Sequence, residues 1–203
     1  MSDTGTDPIA AALRAGAPQA TAAVKRFADR AAAERRADLY YATHASPLGE
    51  LLLVAGSRGL VVLHYANGDI DGTLEQLASQ RSPRIVESAA ALDDWRRELD
   101  EYFSGTRRKF DAKLDWRDIV GFRRRVLRAT AAIPYGEARS YTAIAASAGS
   151  PRAARAAGNA LGANPLAIIV PCHRVRHAGG GLGGYTGGLE RKKLLLAIEG
   201  EAH

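Results

Sequence analysis

Two apolar, β-branched-rich runs stand out along the chain, LGELLLVAG at 48–56 and GLVVLHYA at 59–66, with Ser57, Arg58 and Gly59 lying between them as a turn. That pattern predicts a β-hairpin. The period then changes. Leu92, Trp95, Leu99 and Tyr102 recur at helical spacing through SAAALDDWRRELDEYFSG, and Gly105 supplies the stop, which predicts a helix over 88–104. A charged stretch, GTRRKFDAKLDW at 105–116, holds the expected domain boundary. Beyond it, Ile119, Phe122, Val126 and Thr130 share one helical face, and Pro134-Tyr135-Gly136 breaks the pattern. SYTAIAASAG (140–149) opens with Ser140 as an N-cap and closes on Gly149. SPRAARAAGNALGANP follows, with Ser150 as the next N-cap and Pro151 at the first helical position, where a missing N–H costs nothing. Two short helices across a glycine-containing turn make a helix-turn-helix pattern. LAIIVP reads as a short buried extended segment, and GGLERKKLLLAIEG (187–200) as a C-terminal amphipathic helix. Residues 1–38 have little large apolar content and read as a weakly structured extension. The expected architecture is therefore α+β: an extension at 1–38, a small α/β domain at 39–113, and a mostly helical domain with a helix-turn-helix at 114–203.

Composition narrows the function classes. The 203 residues contain one cysteine, so an internal disulfide and a multi-cysteine zinc site are excluded. No apolar stretch approaches the roughly 18 residues of a membrane span. The N-terminus has no basic region ahead of its short apolar piece and does not read as a secretory signal. A free thiol suits a reducing cytoplasm. Charge is uneven: residues 1–113 hold 15 basic and 16 acidic side chains, and residues 114–203 hold 13 and 6, so the whole net charge of +6 arises in the second part. Such a basic half fits a polyanionic partner, nucleic acid first, or simply a solubilising surface.

Two features of the basic half carry chemistry. The second helix of the pair is almost bare, Arg152-Ala-Ala-Arg155-Ala-Ala-Gly-Asn-Ala. Either its alanines pack on another helix, or its small side chains let the backbone press into a groove as narrow as the DNA minor groove, about 6 Å wide. The other feature is IIVPCHRV at 168–175. Pro171 restricts the backbone ahead of Cys172, and His173, Arg174 and Arg176 put positive or ionisable groups near the thiol, which favours thiolate. The following HAGGGLGGYTGG has seven glycines in twelve residues, so it allows close backbone approach to a ligand. In an extended segment Cys172 and His173 point to opposite faces, so a water bridge between them is expected, with Glu199 as a candidate partner for the imidazole.

Together, SPLGELLLVA, IPYGEARSYTAIA, SPRAARAAGNALGANP, IIVPCHRV and GGYTGGLERKKLLL resemble the O6-alkylguanine-DNA alkyltransferases, the methylated-DNA–protein-cysteine methyltransferases, from about Tyr40 to Glu199. The resemblance implies a DNA repair protein that flips O6-alkylguanine out of the duplex and transfers the alkyl group irreversibly to its own Cys172, in a single turnover. It implies no cofactor and no metal. Under it, His173 deprotonates Cys172 through a water and Glu199 holds the imidazole. Tyr141 helps rotate the nucleotide, and Arg155 fills the gap in the stack. Asn164 braces the turn leading to the active-site segment. The backbones of Cys172 and Val175 accept from the guanine amino group, while Tyr185 and Thr186 line the pocket. The partner is double-stranded DNA, bound through its minor groove largely without sequence preference by a monomer, with cooperative binding left open. The chain departs from the family at Arg123, where glutamine is usual, at Leu127, and at Arg176, where many members are apolar. Three other readings compete: a lesion binder that does no chemistry, disfavoured by the presence of Cys172; a cysteine hydrolase or acyl transferase; and a helix-turn-helix regulator, which the bare second helix equips poorly to read sequence.

Overall fold

A computed structural model describes residues 37–66 and 69–200. The expected extension at 1–38 lies outside these apart from Ala37 and Asp38, the latter joined to Arg84 by an ion pair of 2.7 Å. Strands β1 (Leu39–Ser46), β2 (Gly49–Gly56) and β3 (Gly59–Tyr65) form an antiparallel meander, and β4 (Ile85–Glu87) adds parallel to β1, giving the order β3-β2-β1-β4. The apolar run in β2 is continuous because both of its faces are covered. Leu51, Leu53 and Ala55 join one core cluster, while Leu52 and Val54 join another with Leu39, Val61, Val62 and Leu77. Leu77 belongs to α1 (Ile70–Gln80), which the sequence pattern did not single out. Leu92, Leu99 and Tyr102 pack on the first face; the last two come from α2 (Asp93–Phe103). The expected helix over 88–104 is thus shorter, entered through a 3-10 turn at Ala90–Leu92.

The helical part shares that first cluster. Val126, Leu127 and Thr130 of α3 (Gly121–Ala131) are buried, as are Ile144 and Ala145 of α4 (Tyr141–Ser147) and Ala157, Ala160 and Leu161 of α5 (Ala154–Gly162). Ser140 caps α4 as expected, its Oγ accepting from Ala143 N at 3.1 Å. Ser150 does not cap α5. A backbone bond from Ala153 N to Ser150 O closes a turn first, and the helix begins only at Ala154. Arg123 and Arg125 of α3 instead satisfy the far ends: Arg123 donates to Ala163 O at the close of α5, and Arg125 to Ala148 O at the close of α4. Cationic donors at helix C-termini meet both the unpaired carbonyls and the dipole.

The 166–171 segment is buried but not extended. Ile168 has φ +69, and Ile169 N to Ala167 O and Val170 N to Leu166 O mark successive turns. An apolar run reports burial and says nothing about whether the backbone bends. These turns dock against the free edge of β3, where Leu63 N donates to Pro165 O and Ala167 N to Leu63 O, both at 2.8 Å. The sheet edge is thereby covered at Leu63 by the segment that leads into Cys172, and at Leu60 by residues 113–115. A two-residue parallel ladder, β5 (Arg139–Ser140) with β6 (Val175–Arg176), ties the start of α4 to the residues just after it. The last helix, α6, spans Leu189–Ile198. Among the described residues no helix is long and apolar enough to cross a membrane.

Candidate active site

Cys172 opens a 3-10 turn, Cys172–Arg174, rather than an extended stretch. The turn leaves the thiol at a cavity of about 580 Å³ whose lining includes Tyr141, Arg155, Gly158, His177, Tyr185 and Thr186. Asn164, just past α5, bridges three parts of the turn. Its Nδ2 donates to Val170 O at 2.9 Å and to Cys172 Sγ at 3.4 Å, and its Oδ1 accepts from Leu166 N.

His173 faces the other way, into the protein, and is buried. Its Nε2 lies 2.9 Å from Glu199 Oε1. Glu199, which ends α6, also receives Arg174 Nε and Nη2 at 2.8 Å each and the Tyr102 hydroxyl at 2.6 Å. Burial alone would raise the Glu199 carboxyl, but hydrogen bonds from His173, Arg174 and Tyr102 hold it at about 2. Burial lowers the His173 pKa despite the carboxylate. A neutral imidazole beside an ionised Glu199 must carry its proton on Nε2, the nitrogen that donates. Nδ1 is then an unprotonated acceptor, buried and without a hydrogen-bond partner among the described residues.

The expectation that neighbouring cations favour thiolate needs correction. Burial pushes the Cys172 thiol up, opposed by Asn164 and Lys192. Arg174 is committed to Glu199 and to Ile133 O, so it serves the carboxylate rather than the sulfur. The cation that does act on Cys172 is Lys192, fully buried in α6, its Nζ donating to Val175 O at 2.6 Å and to Leu182 O. Burial brings Lys192 down to about 8. Its position in the ERKK run gave no sign of this, since such runs usually face water.

Tyr141 reaches the glycine-rich segment, its hydroxyl 3.4 Å from Gly184 O. Gly183, at φ +69, leaves room for it: a Cβ there would come within 2.7 Å of the hydroxyl. Arg155 is exposed at the cavity mouth and makes no hydrogen bond or ion pair among the described residues. Thr186 is at the cavity but donates its hydroxyl to Gly162 O at 2.9 Å. Val175 is buried, its carbonyl already accepting from Lys192, with a second lone pair remaining. The site therefore unites Cys172, Tyr141, Arg155, Tyr185 and Thr186 around one cavity, with Asn164 bracing Cys172 and with His173 and Glu199 behind it. Tyr102 and Lys192 were not read from the sequence as site residues, and Arg174 was read as a partner of the thiol rather than of Glu199. A tyrosine on a buried helical face was the available signal for Tyr102, because its hydroxyl needs a partner. Among the described residues no group of three or more His, Cys, Asp or Glu side chains is placed to hold a metal ion.

Two family models match the chain, the ribonuclease-like domain of 6-O-methylguanine DNA methyltransferase over residues 39–116 and its DNA binding domain over 121–201. A methylated-DNA–protein-cysteine methyltransferase of Mycobacterium tuberculosis is 43% identical over 161 residues, covering 79% of this chain and 92% of that protein. The constitutive enzyme of Bacillus subtilis is 38% identical, with 79% and 94% covered. The crystal structure of M. tuberculosis OGT in complex with DNA is 42% identical over the same 79% and 92%, with a TM-score of 0.66. By these matches the chain belongs to the methylated-DNA–protein-cysteine methyltransferase family.

Proposed function

We propose that this chain repairs O6-alkylguanine in DNA by moving the alkyl group to Cys172. The observation that carries the reading is a thiol at the cavity, backed by a buried neutral His173 whose Nε2 is pinned to Glu199. A water between His173 Nδ1 and Sγ passes the thiol proton to the imidazole, and Glu199 stabilises the imidazolium. Sulfur then attacks the alkyl carbon. The S–C bond forms as the C–O6 bond breaks, the electron pair goes to guanine, and the base takes up one proton. Thiol and alkylguanine become thioether and guanine, and a thioether has no easy hydrolysis route, so each chain acts once.

A guanine inside the stack cannot present its O6 substituent to a buried sulfur, so the nucleotide is extruded at a cost of a few kcal/mol. Helices α4 and α5 act as a helix-turn-helix laid in the minor groove. The outer face of α5 carries Ala156 and Asn159, short enough for backbone to approach the groove, beside Arg155, with Arg152 in the turn just before the helix. Arg155 at the cavity mouth fills the emptied place in the stack, and Tyr141 guides the nucleotide inward. Cys172 and Val175 carbonyls receive the guanine amino group, and Tyr185 and Thr186 close the wall, the Thr186 hydroxyl leaving Gly162 to do so. One chain serves one lesion, in the cytoplasm where the thiol stays reduced. The relative solved with DNA supports the partner. Repair of a duplex holding one O6-methylguanine tests this: unmodified guanine should appear up to one equivalent of protein and then stop. Release of free base, or continued turnover, would overturn it.

A further inference from the structure

Beside the residues that face the thiol, one buried contact reaches the pocket from the far part of the chain. Tyr65, the last residue of β3, is 6% exposed, and its hydroxyl lies 2.8 Å from that of Tyr185. Their rings meet edge-on at 6.2 Å between centroids. Tyr185 in turn stands edge-on to His173 and lines the cavity at Cys172. Arg191 locks the arrangement. Its guanidinium lies 4.3 Å over the Tyr65 ring, while its nitrogens donate to Leu48 O in the β1–β2 turn and to Gly187 O in the glycine-rich segment. Gly187 is wedged between the two tyrosines: a Cβ there would come within 2.2 Å of Tyr65 and 2.8 Å of Tyr185.

We propose that Tyr65 is a positioning residue for alkyl transfer, donating its hydroxyl hydrogen to Tyr185 and so holding that ring as the pocket wall with its own hydrogen free to face the base. The direction follows from charge. A cation over the Tyr65 ring makes that phenol the better donor. Tyr185 shares the cavity with Cys172, and the negative charge that develops on the sulfur when the base acts makes its oxygen the better acceptor. Burial pushes the Tyr65 hydroxyl up to about 12, so both phenols stay neutral wherever the protein works. The sheet thus contributes to the pocket directly, through a residue 107 positions from the thiol by number.

This inference rests on the proposed alkyl transfer, and its test separates the two. Transfer from free O6-benzylguanine reads the pocket without DNA. Wild type, Tyr65→Phe, Tyr185→Phe and the double variant are compared for transfer rate, affinity for undamaged duplex and melting temperature. Tyr65→Phe keeps the ring under Arg191 and should fold; loss of one neutral hydrogen bond should slow transfer about 3- to 10-fold. Duplex affinity should not change, and the double variant should be no slower than Tyr185→Phe alone. A wild-type rate in Tyr65→Phe, or losses that multiply in the double variant, would overturn the positioning role. A wild-type protein that accepts no alkyl group from O6-methylguanine in duplex DNA would instead overturn the proposed function. Equal loss of transfer and duplex affinity in Tyr65→Phe would assign Tyr65 a merely structural role and also reject the inference.

Discussion

Burial pushes the Cys172 thiol up and the His173 imidazole down, so the resting pair is neutral and the thiolate is made only when the base acts. Because the lowered His173 keeps its neutral form below its ordinary 6.5, the transfer rate should stay level from about pH 7.5, where Lys192 is mostly charged, to 6.5 and fall only in more acidic solution. A tenfold fall between pH 7.5 and 6.5, measured with free alkylguanine, would contradict a neutral base. Glu199→Gln should slow transfer by about 100-fold or more with undamaged-duplex affinity unchanged, because the imidazolium loses its counter-charge. The same residue links to stability. Its carboxyl is held at about 2, below its unfolded 4.5, so its stabilisation is complete above pH 4.5 and is lost as pH falls toward 2. Glu199→Gln leaves Arg174 buried without its carboxylate, at a cost of about 3 kcal/mol near neutrality, and should flatten the acid limb of the unfolding curve. Cys172 and His173 were legible because they adjoin one another in a distinctive run. Tyr102, 97 positions from Glu199, was not, because its hydroxyl acquires a role only when the fold brings it to the carboxylate at the end of α6.

Among the elements, α5 divides cleanly into a buried side of Ala157, Ala160 and Leu161 and an outer side that includes Arg155 and Asn159. The expectation that its alanines pack on a neighbour therefore holds for Ala157 and Ala160, while Ala156 stays outside. Arg155→Ala should slow transfer from duplex by at least about tenfold while leaving free alkylguanine nearly unaffected, because only the duplex must be held open. Equal slowing of both would count against a wedge. Local signals differed in value here. Ser140 was a sound N-cap signal because the chain before it is extended, at ψ 156. Ser150 failed because Pro151 and the residues after it turn before they coil. LAIIVP failed because complete burial hides a bent backbone, and the Ile168 φ of +69 has no sequence signal of its own. The Arg123 departure found a use as a donor to the end of α5.

Across the whole molecule, the net positive charge lies in the part that carries α3 to α6, which suits a backbone-directed DNA contact. Affinity for undamaged duplex should fall with salt at a log–log slope of about 0.9 per phosphate neutralised and depend little on sequence. A shallow slope with strong preference for one sequence would favour a regulator instead. The sheet and the helical part are not independent, since β3 supports the turns leading to Cys172 and α2 supplies Tyr102 to Glu199. That interdependence was invisible in the chain's order, where the two parts are merely consecutive. The most direct measurement is intact-protein and peptide mass spectrometry after mixing with duplex DNA containing O6-methylguanine, with Cys172→Ala alongside. The account predicts one methyl group per chain, on the peptide bearing Cys172, and none in the variant. An unchanged mass with the damaged duplex tightly retained would contradict it and leave a lesion-binding protein with an idle thiol.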